Sequence, residues 1–103
     1  MTKADVVNEI AVETGIDKTS VLASVDAFMD VVKRHMLTGE NVYFRGFGTF
    51  LIKKRREKTA RNISRNTTII IPEHNVPAFK PSKTFLHQVS DTVKVSPDEA
   101  SVV

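Results

Sequence analysis

Thr49-Phe50-Leu51-Ile52-Lys53-Lys54-Arg55-Arg56-Glu57-Lys58-Thr59-Ala60-Arg61 starts as a strand that a core would hold and continues as one with almost nothing to bury. Its first four residues are β-prone and largely apolar. From Lys53 the side chains are charged or small, yet no proline or glycine interrupts the stretch. Asn62 through Asn66 contain a reversal, because Asn66 tolerates the left-handed conformation that a tight turn needs. Thr67-Thr68-Ile69-Ile70-Ile71 then returns as a β-branched strand, and Pro72 ends it. The result is a hairpin with an apolar base and a cationic outer part. An isolated two-stranded hairpin is marginal in water, so residues 53–71 are expected to project as a mobile arm.

Working outward, Gly46-Phe47-Gly48 places a turn about a glycine pair before this strand, and Val42-Tyr43-Phe44 reads as a short preceding strand. Upstream of that the period is helical. Thr2 with Asp5 forms an N-terminal capping pattern, Val6, Val7, Ile10 and Ala11 follow, and Gly15 supplies a C-cap. Lys3–Thr14 is therefore expected to be a helix. Asp17 opens a second one, whose stripe of Val21, Leu22, Val25, Phe28, Met29, Val32 and Met36 stops at Gly39. Two such helices joined by a tight turn make an αα-hairpin. Downstream, Val76-Pro77-Ala78-Phe79-Lys80-Pro81 is extended, since residues before proline avoid the helical region. Ser82 caps a last helix carrying Phe85, Leu86 and Val89. The class is α+β: one domain over residues 1–93, and a loosely held tail over 94–103.

The net charge of +3 conceals a strong asymmetry. Residues 1–44 carry four basic and seven acidic side chains, 45–87 carry ten and two, and 88–103 carry one and three. A cationic middle between acidic flanks points to a polyanionic partner, nucleic acid being the usual one, against the plainer reading of a solubilising face. With no cysteine, disulfides, thiolate metal sites and a catalytic thiol are excluded. His35, His74 and His87 are dispersed without ligand spacing. No phosphate loop, nucleophile elbow or carboxylate pair stands in a recognisable setting, so neither enzyme activity nor any metal, cofactor or small-molecule substrate is expected. Met1–Asp5 leads into an amphipathic stretch, so a signal peptide is not expected. The sequons at Asn62 and Asn66 are set aside with it. No apolar window approaches the ~18 residues of a membrane span, and a cytoplasmic protein is expected.

Outside the arm stand the 52 residues before it and the 22 from Pro72 to Val93. A body of at most ~70–80 residues seldom draws more than ~3–5 kcal/mol from one core. Without disulfides or metal, the available staple is oligomerisation. Phe28, Phe44, Phe47, Phe50, Phe79 and Phe85 would be buried at ~25 cal/mol per Å² in a core shared by two chains. Base stacking by Phe47 or Phe79 is the weaker reading, given their apolar neighbours, and a monomeric core is the alternative to the dimer.

Three motifs in order, Arg45-Gly46-Phe47-Gly48-Thr49-Phe50, Arg61-Asn62 and Val76-Pro77-Ala78-Phe79-Lys80-Pro81, resemble the bacterial HU proteins and the related integration host factor subunits, the DNABII nucleoid proteins. The resemblance runs from Thr2 to about Val93. It implies an intertwined dimer with a helical base, a three-stranded antiparallel saddle, two arms in the minor groove of double-stranded DNA, and a C-terminal helix. The implied role is bending and compacting nucleoid DNA, without chemistry. Non-specific binding of the HU kind is expected, site preference of the integration-host-factor kind being the alternative. The partner chain is an identical copy or a paralogue. Where the family usually carries a proline wedge after Arg-Asn, this chain has Ile63, which is apolar and still able to intercalate. Asn66 replaces the usual glycine of the tip turn.

Lys53, Lys54, Arg55, Arg56, Lys58, Arg61 and Arg65 are the candidate phosphate and groove contacts, set against the plainer role of guarding a strand edge by charge. Strict alternation places Lys53 and Arg55 on one face and Lys54, Arg56 and Lys58 on the other, so they share a target only if a bulge or twist intervenes. Asn62 is a candidate groove contact or turn holder. Gly46, with Gly48, allows the turn and offers amides; Lys80 and Lys83 flank the body; Lys3 is a weaker body contact. RNA recognition suits groove-following arms less well, since the A-form major groove is deep and narrow. A protein-interaction hairpin meeting an acidic partner is the remaining alternative.

Overall fold

The computed structural model describes residues 1–93 and Val95. Apart from Val95, the tail expected over 94–103 lies outside the described residues. The chain forms two compact units, Met1–Gly39 and Glu40 onward.

The first unit is the helical hairpin, α1 (Lys3–Thr14) and α2 (Lys18–Leu37). Both starts follow from capping. Thr2 Oγ1 accepts from the Asp5 amide, and the Asp5 carboxylate accepts from the Thr2 amide, closing a capping box. Asp17 accepts from the Ser20 amide at 2.9 Å. Gly15 ends α1 at φ 75° with its N–H on the Ala11 carbonyl, a left-handed conformation that costs glycine little. Val7, Val21 and Val32 are the buried hydrophobic residues of the described chain. Phe28, on α2, is 46% exposed.

The second unit opens with β1 (Val42–Phe44), β2 (Gly48–Arg55) and β5 (His74–Pro81) in an antiparallel sheet of order β1-β2-β5. Between β2 and β5 the chain forms a separate two-stranded ladder, β3 (Lys58–Asn62) with β4 (Thr67–Ile71). Ser82 caps α3 (Lys83–Thr92) by accepting from the Phe85 amide. Asn41 lengthens the edge where β1 is short, its Oδ1 accepting from the Ile52 amide at 3.1 Å.

Three expectations are corrected. The long strand from Thr49 to Arg61 is divided at Arg56-Glu57, and Lys53, Lys54 and Arg55 pair with Val76, Asn75 and His74 in the three-stranded sheet. The cause lies opposite: beyond His74 come Glu73 and Pro72, and proline has no N–H to continue a ladder. β5 consequently starts at His74, two residues before the extended segment expected from the prolines. The glycine pair also splits. Gly46 occupies the turn at φ 81°, whereas Gly48 is a buried strand residue paired with Phe44 and Pro81. A Cβ on Gly48 would lie 2.6 Å from both the Lys80 carbonyl oxygen and the Phe79 ring, so glycine is needed there for close approach.

Candidate nucleic-acid interface

Register assigns the side chains to faces, because residues directly opposite in an antiparallel ladder project to the same side. On one face of the three-stranded sheet stand Val42, Phe44, Phe50, Ile52, Phe79, Pro77 and Pro81. Phe44 meets Phe50 edge-on at 6.0 Å, Phe50 meets Phe79 at 5.0 Å, and Phe79 meets Phe47 at 5.2 Å. Phe47 stacks on Phe85 of α3 at 5.6 Å. Its carbonyl accepts from the Ser82 amide at 2.9 Å, which ties the β1–β2 turn to the start of α3. Phe47 is nevertheless 47% exposed and Phe79 38%. One chain assembles this aromatic row without covering it.

The opposite face carries Tyr43, Thr49 and Lys80 in one row across the strands, then Leu51 with Ala78, Lys53 with Val76, and Arg55 with His74. Lys53, Arg55 and Lys80 thus project to one side, and no acidic residue of these strands shares it. Like charges gathered on one face repel in the free protein, and a bound polyanion relieves that repulsion. Lys54 belongs to the phenylalanine face, where its Nζ lies 2.8 Å from Glu73 Oε1. Arg56 is exposed in the interruption between β2 and β3.

The arm strands β3 and β4 pair with each other and with no other strand. The arm keeps the register of β2 with β5, with Lys58, Ala60 and Asn62 opposite Ile71, Ile69 and Thr67 on one face, and Thr59 and Arg61 opposite Ile70 and Thr68 on the other. Cations and isoleucines therefore occupy both faces. The turn runs from Ile63 to Asn66, with Asn66 at φ 53°. Ser64 Oγ donates to Asn62 Oδ1 at 2.7 Å, and Arg61 Nη2 donates to Asn66 Oδ1. Ile63 is 89% exposed at the apex, and Arg65 beside it is exposed. The acceptor of Asn62 is thus engaged while its two N–H donors stay available, matching the acceptor-rich floor of the minor groove.

The remaining candidates are more scattered. Gly46 is exposed in its turn, with nothing near its Cβ direction. Lys83 is the first residue of α3 and exposed. Lys3 lies in the helical unit, its Nζ 2.9 Å from Asp26 Oδ1. Tyr43, Thr49 and His74 share the cationic face, a placement absent from the sequence reading, although counting parity from Phe50 would have found Thr49. Among the described residues no cluster of metal-ligating side chains occurs, and no helix is long and apolar enough to cross a membrane.

The sequence profile of the Bacterial DNA-binding protein family matches residues 1–90. DNA-binding protein HU of Thermus thermophilus is 39% identical over 89 residues, covering 86% of this chain and 92% of that protein. DNA-binding protein HU of Geobacillus stearothermophilus is 33% identical over 94 residues, 91% of this chain and all of that one. Among solved structures, an Anabaena HU–DNA cocrystal structure superposes with a TM-score of 0.82 at 29% identity, covering 87% of this chain and 98% of that chain.

Proposed function

The chain belongs to the family of bacterial DNA-binding proteins, and we propose that two copies of it form a dimer that bends double-stranded DNA by laying their arms in its minor groove. The observation that carries this reading is the division of one sheet into an aromatic face left half-exposed and a cationic face without acidic residues, extended by a self-paired arm with Ile63 at its tip. A second chain covers the first face. The phosphate backbone meets the second, and Ile63 enters a base step as a wedge. Minor-groove architectural proteins, a class in which HU and integration host factor are themselves standard members, use apolar wedges in this way.

Phosphate contacts fix position and carry no sequence information. Lys53, Arg55, Lys80 and Lys83 on the body, with Lys58, Arg61 and Arg65 on the arm, are contacts of that kind. Asn62 alone among the candidates offers a side-chain amide, and the minor groove distinguishes little more than A·T from G·C. Binding is accordingly governed by DNA shape and deformability, with nicked or kinked duplexes preferred because part of their bending cost is already met. On this reading the protein works on DNA in the nucleoid, as an architectural component.

The test is a binding titration over a range of salt with a nicked duplex, an intact duplex and duplex RNA, alongside sizing of the protein. The logarithm of affinity should fall with log salt by roughly 0.9 per phosphate neutralised. The order should be nicked DNA, intact DNA, RNA, and the free protein should size as two chains. A flat salt response, a preference for RNA, or a single-chain species would each overturn the reading.

A further inference from the structure

We propose that Asn66 is a positioning residue: beyond turning the chain at the arm tip, its side-chain carbonyl presets Arg61 for the groove. The proposal rests on the reading of the arm as a minor-groove element.

Asn66 is the single non-glycine residue at positive φ among the described residues. The turn by itself asks only for a residue that accepts this conformation, and glycine does so at least steric cost. Asparagine adds a carbonyl oxygen, and that oxygen receives the Arg61 Nη2 donor. The pairing of Asn62 with Thr67 is the last rung of the ladder, so Arg61 precedes it on β3 and Asn66 adjoins it from the turn. The chemistry of the acceptor matters. A carboxylate here would neutralise the guanidinium and repel phosphate, whereas the neutral amide takes one of five N–H donors and none of the charge. Four donors and the full positive charge remain for DNA.

An exposed arginine on a slender hairpin otherwise samples many rotamers, and freezing them on binding lowers affinity. Holding the guanidinium beforehand removes part of that loss. The neighbouring contact from Ser64 to Asn62 works in the same direction, fixing the second polar side chain of the tip. Neither contact touches Ile63, which is left free at the apex.

Asn66→Gly separates the two roles, because it keeps the turn and removes the acceptor. A double-mutant cycle on the full chain compares the parent, Asn66→Gly, Arg61→Ala and the double variant, with a nicked duplex as probe and thermal unfolding as the control for folding. Asn66→Gly should unfold as the parent does and bind about threefold to tenfold more weakly per arm, the usual range for one hydrogen bond. With alanine at position 61, the same change should cost nothing further. Side-chain nitrogen NMR of DNA-free protein should show Arg61 Nη rotation slowed in the parent and averaged in Asn66→Gly. Parental affinity for Asn66→Gly, or an equal loss in both backgrounds, would overturn the proposal while leaving the arm reading intact. A silent Arg61→Ala would overturn both.

Discussion

Replacing Ile63 with alanine tests the wedge where its energy can be bounded from the structure. In the free protein this side chain is 89% exposed at the arm tip, so the fold has nothing invested in it, and stability should change by no more than ~0.5 kcal/mol. Insertion between base pairs changes that situation. Alanine lacks three of the isoleucine carbons, and at ~0.8 kcal/mol per buried methylene each inserted wedge loses roughly 2 kcal/mol, or about 4–5 kcal/mol for two arms. Smoothly bending a site of 20–30 bp costs on the order of 1–6 kcal/mol. The two quantities are of one size. Without the wedge the bent state is no longer favoured over straighter ones, while the lysines and arginines that neutralise phosphates are untouched. Fluorescence transfer between dyes at the two ends of a duplex should therefore report a smaller bend, with the salt slope of binding unchanged. Affinity for intact duplex should fall less than the bend does. Equal transfer for Ile63→Ala and the parent would show that the tip lies against the groove without entering the stack.

Three further outcomes follow from the geometry. Glu73→Gln releases Lys54 from its ion pair; with both side chains more than half exposed, the pair contributes at most ~1 kcal/mol to folding. The freed cation belongs to the phenylalanine face of the three-stranded sheet, so the salt slope of DNA binding should stay that of the parent, and a slope steeper by ~0.9 would refute that placement of Lys54. Gly48→Ala forces a methyl into the Phe79 ring and the Lys80 carbonyl, so denaturant unfolding should show a loss of about 1–3 kcal/mol or more; a neutral result would mean that β2 and β5 separate freely. The third concerns acid. The Thr2 hydrogen bonds hold the Asp5 carboxyl below the usual carboxylate range, and those of Ser20 do the same for Asp17. A depressed folded-state pKa stabilises fully above the unfolded value, and that contribution is lost as pH falls through the folded one. Helix content followed by circular dichroism should therefore fall in acid, less steeply in Asp5→Asn and Asp17→Asn, which keep a capping residue without the titration. Identical acid profiles would refute the role of these caps.

The helices were legible because their signals are local. Thr2 with Asp5, Gly15, Asp17 and Ser82 each mark an end by chemistry that acts within four residues, and each stands where the capping rules put it. The arm was legible as a change of composition at Lys53, but its inner boundary was not. What stops β2 is the missing donor at Pro72, which faces Arg56-Glu57 only once the register is known. The same gap hid the sorting of the cations. Parity along one strand separates Lys53 from Lys54, yet it cannot say that Lys80 joins Lys53, because that follows from pairing Thr49 with Lys80. The partners of Lys54 and Arg61 were hidden for a related reason: Glu73 and Asn66 lie across a ladder whose register the sequence leaves open.

In the proposed dimer, β2 makes association and DNA binding two consequences of one register. Phe50 and Ile52 alternate with Leu51, Lys53 and Arg55, so the strand sends aromatic and aliphatic surface to one side and cations to the other. A slip of one residue would exchange the two sets, burying charge where a second chain must pack and presenting phenylalanine to phosphate. Gly48 guards against that slip at one end, since its missing Cβ is what lets Phe79 and Lys80 pair alongside it. At the other end Glu73 and Pro72 lie beyond the last pair of the ladder, Arg55 with His74, and β3 and β4 then pair only with each other. The half-exposed phenylalanines thus belong to the same design as the arm. A chain that buries only three hydrophobic side chains among its described residues leaves its aromatic face for a second copy to cover in the proposed dimer.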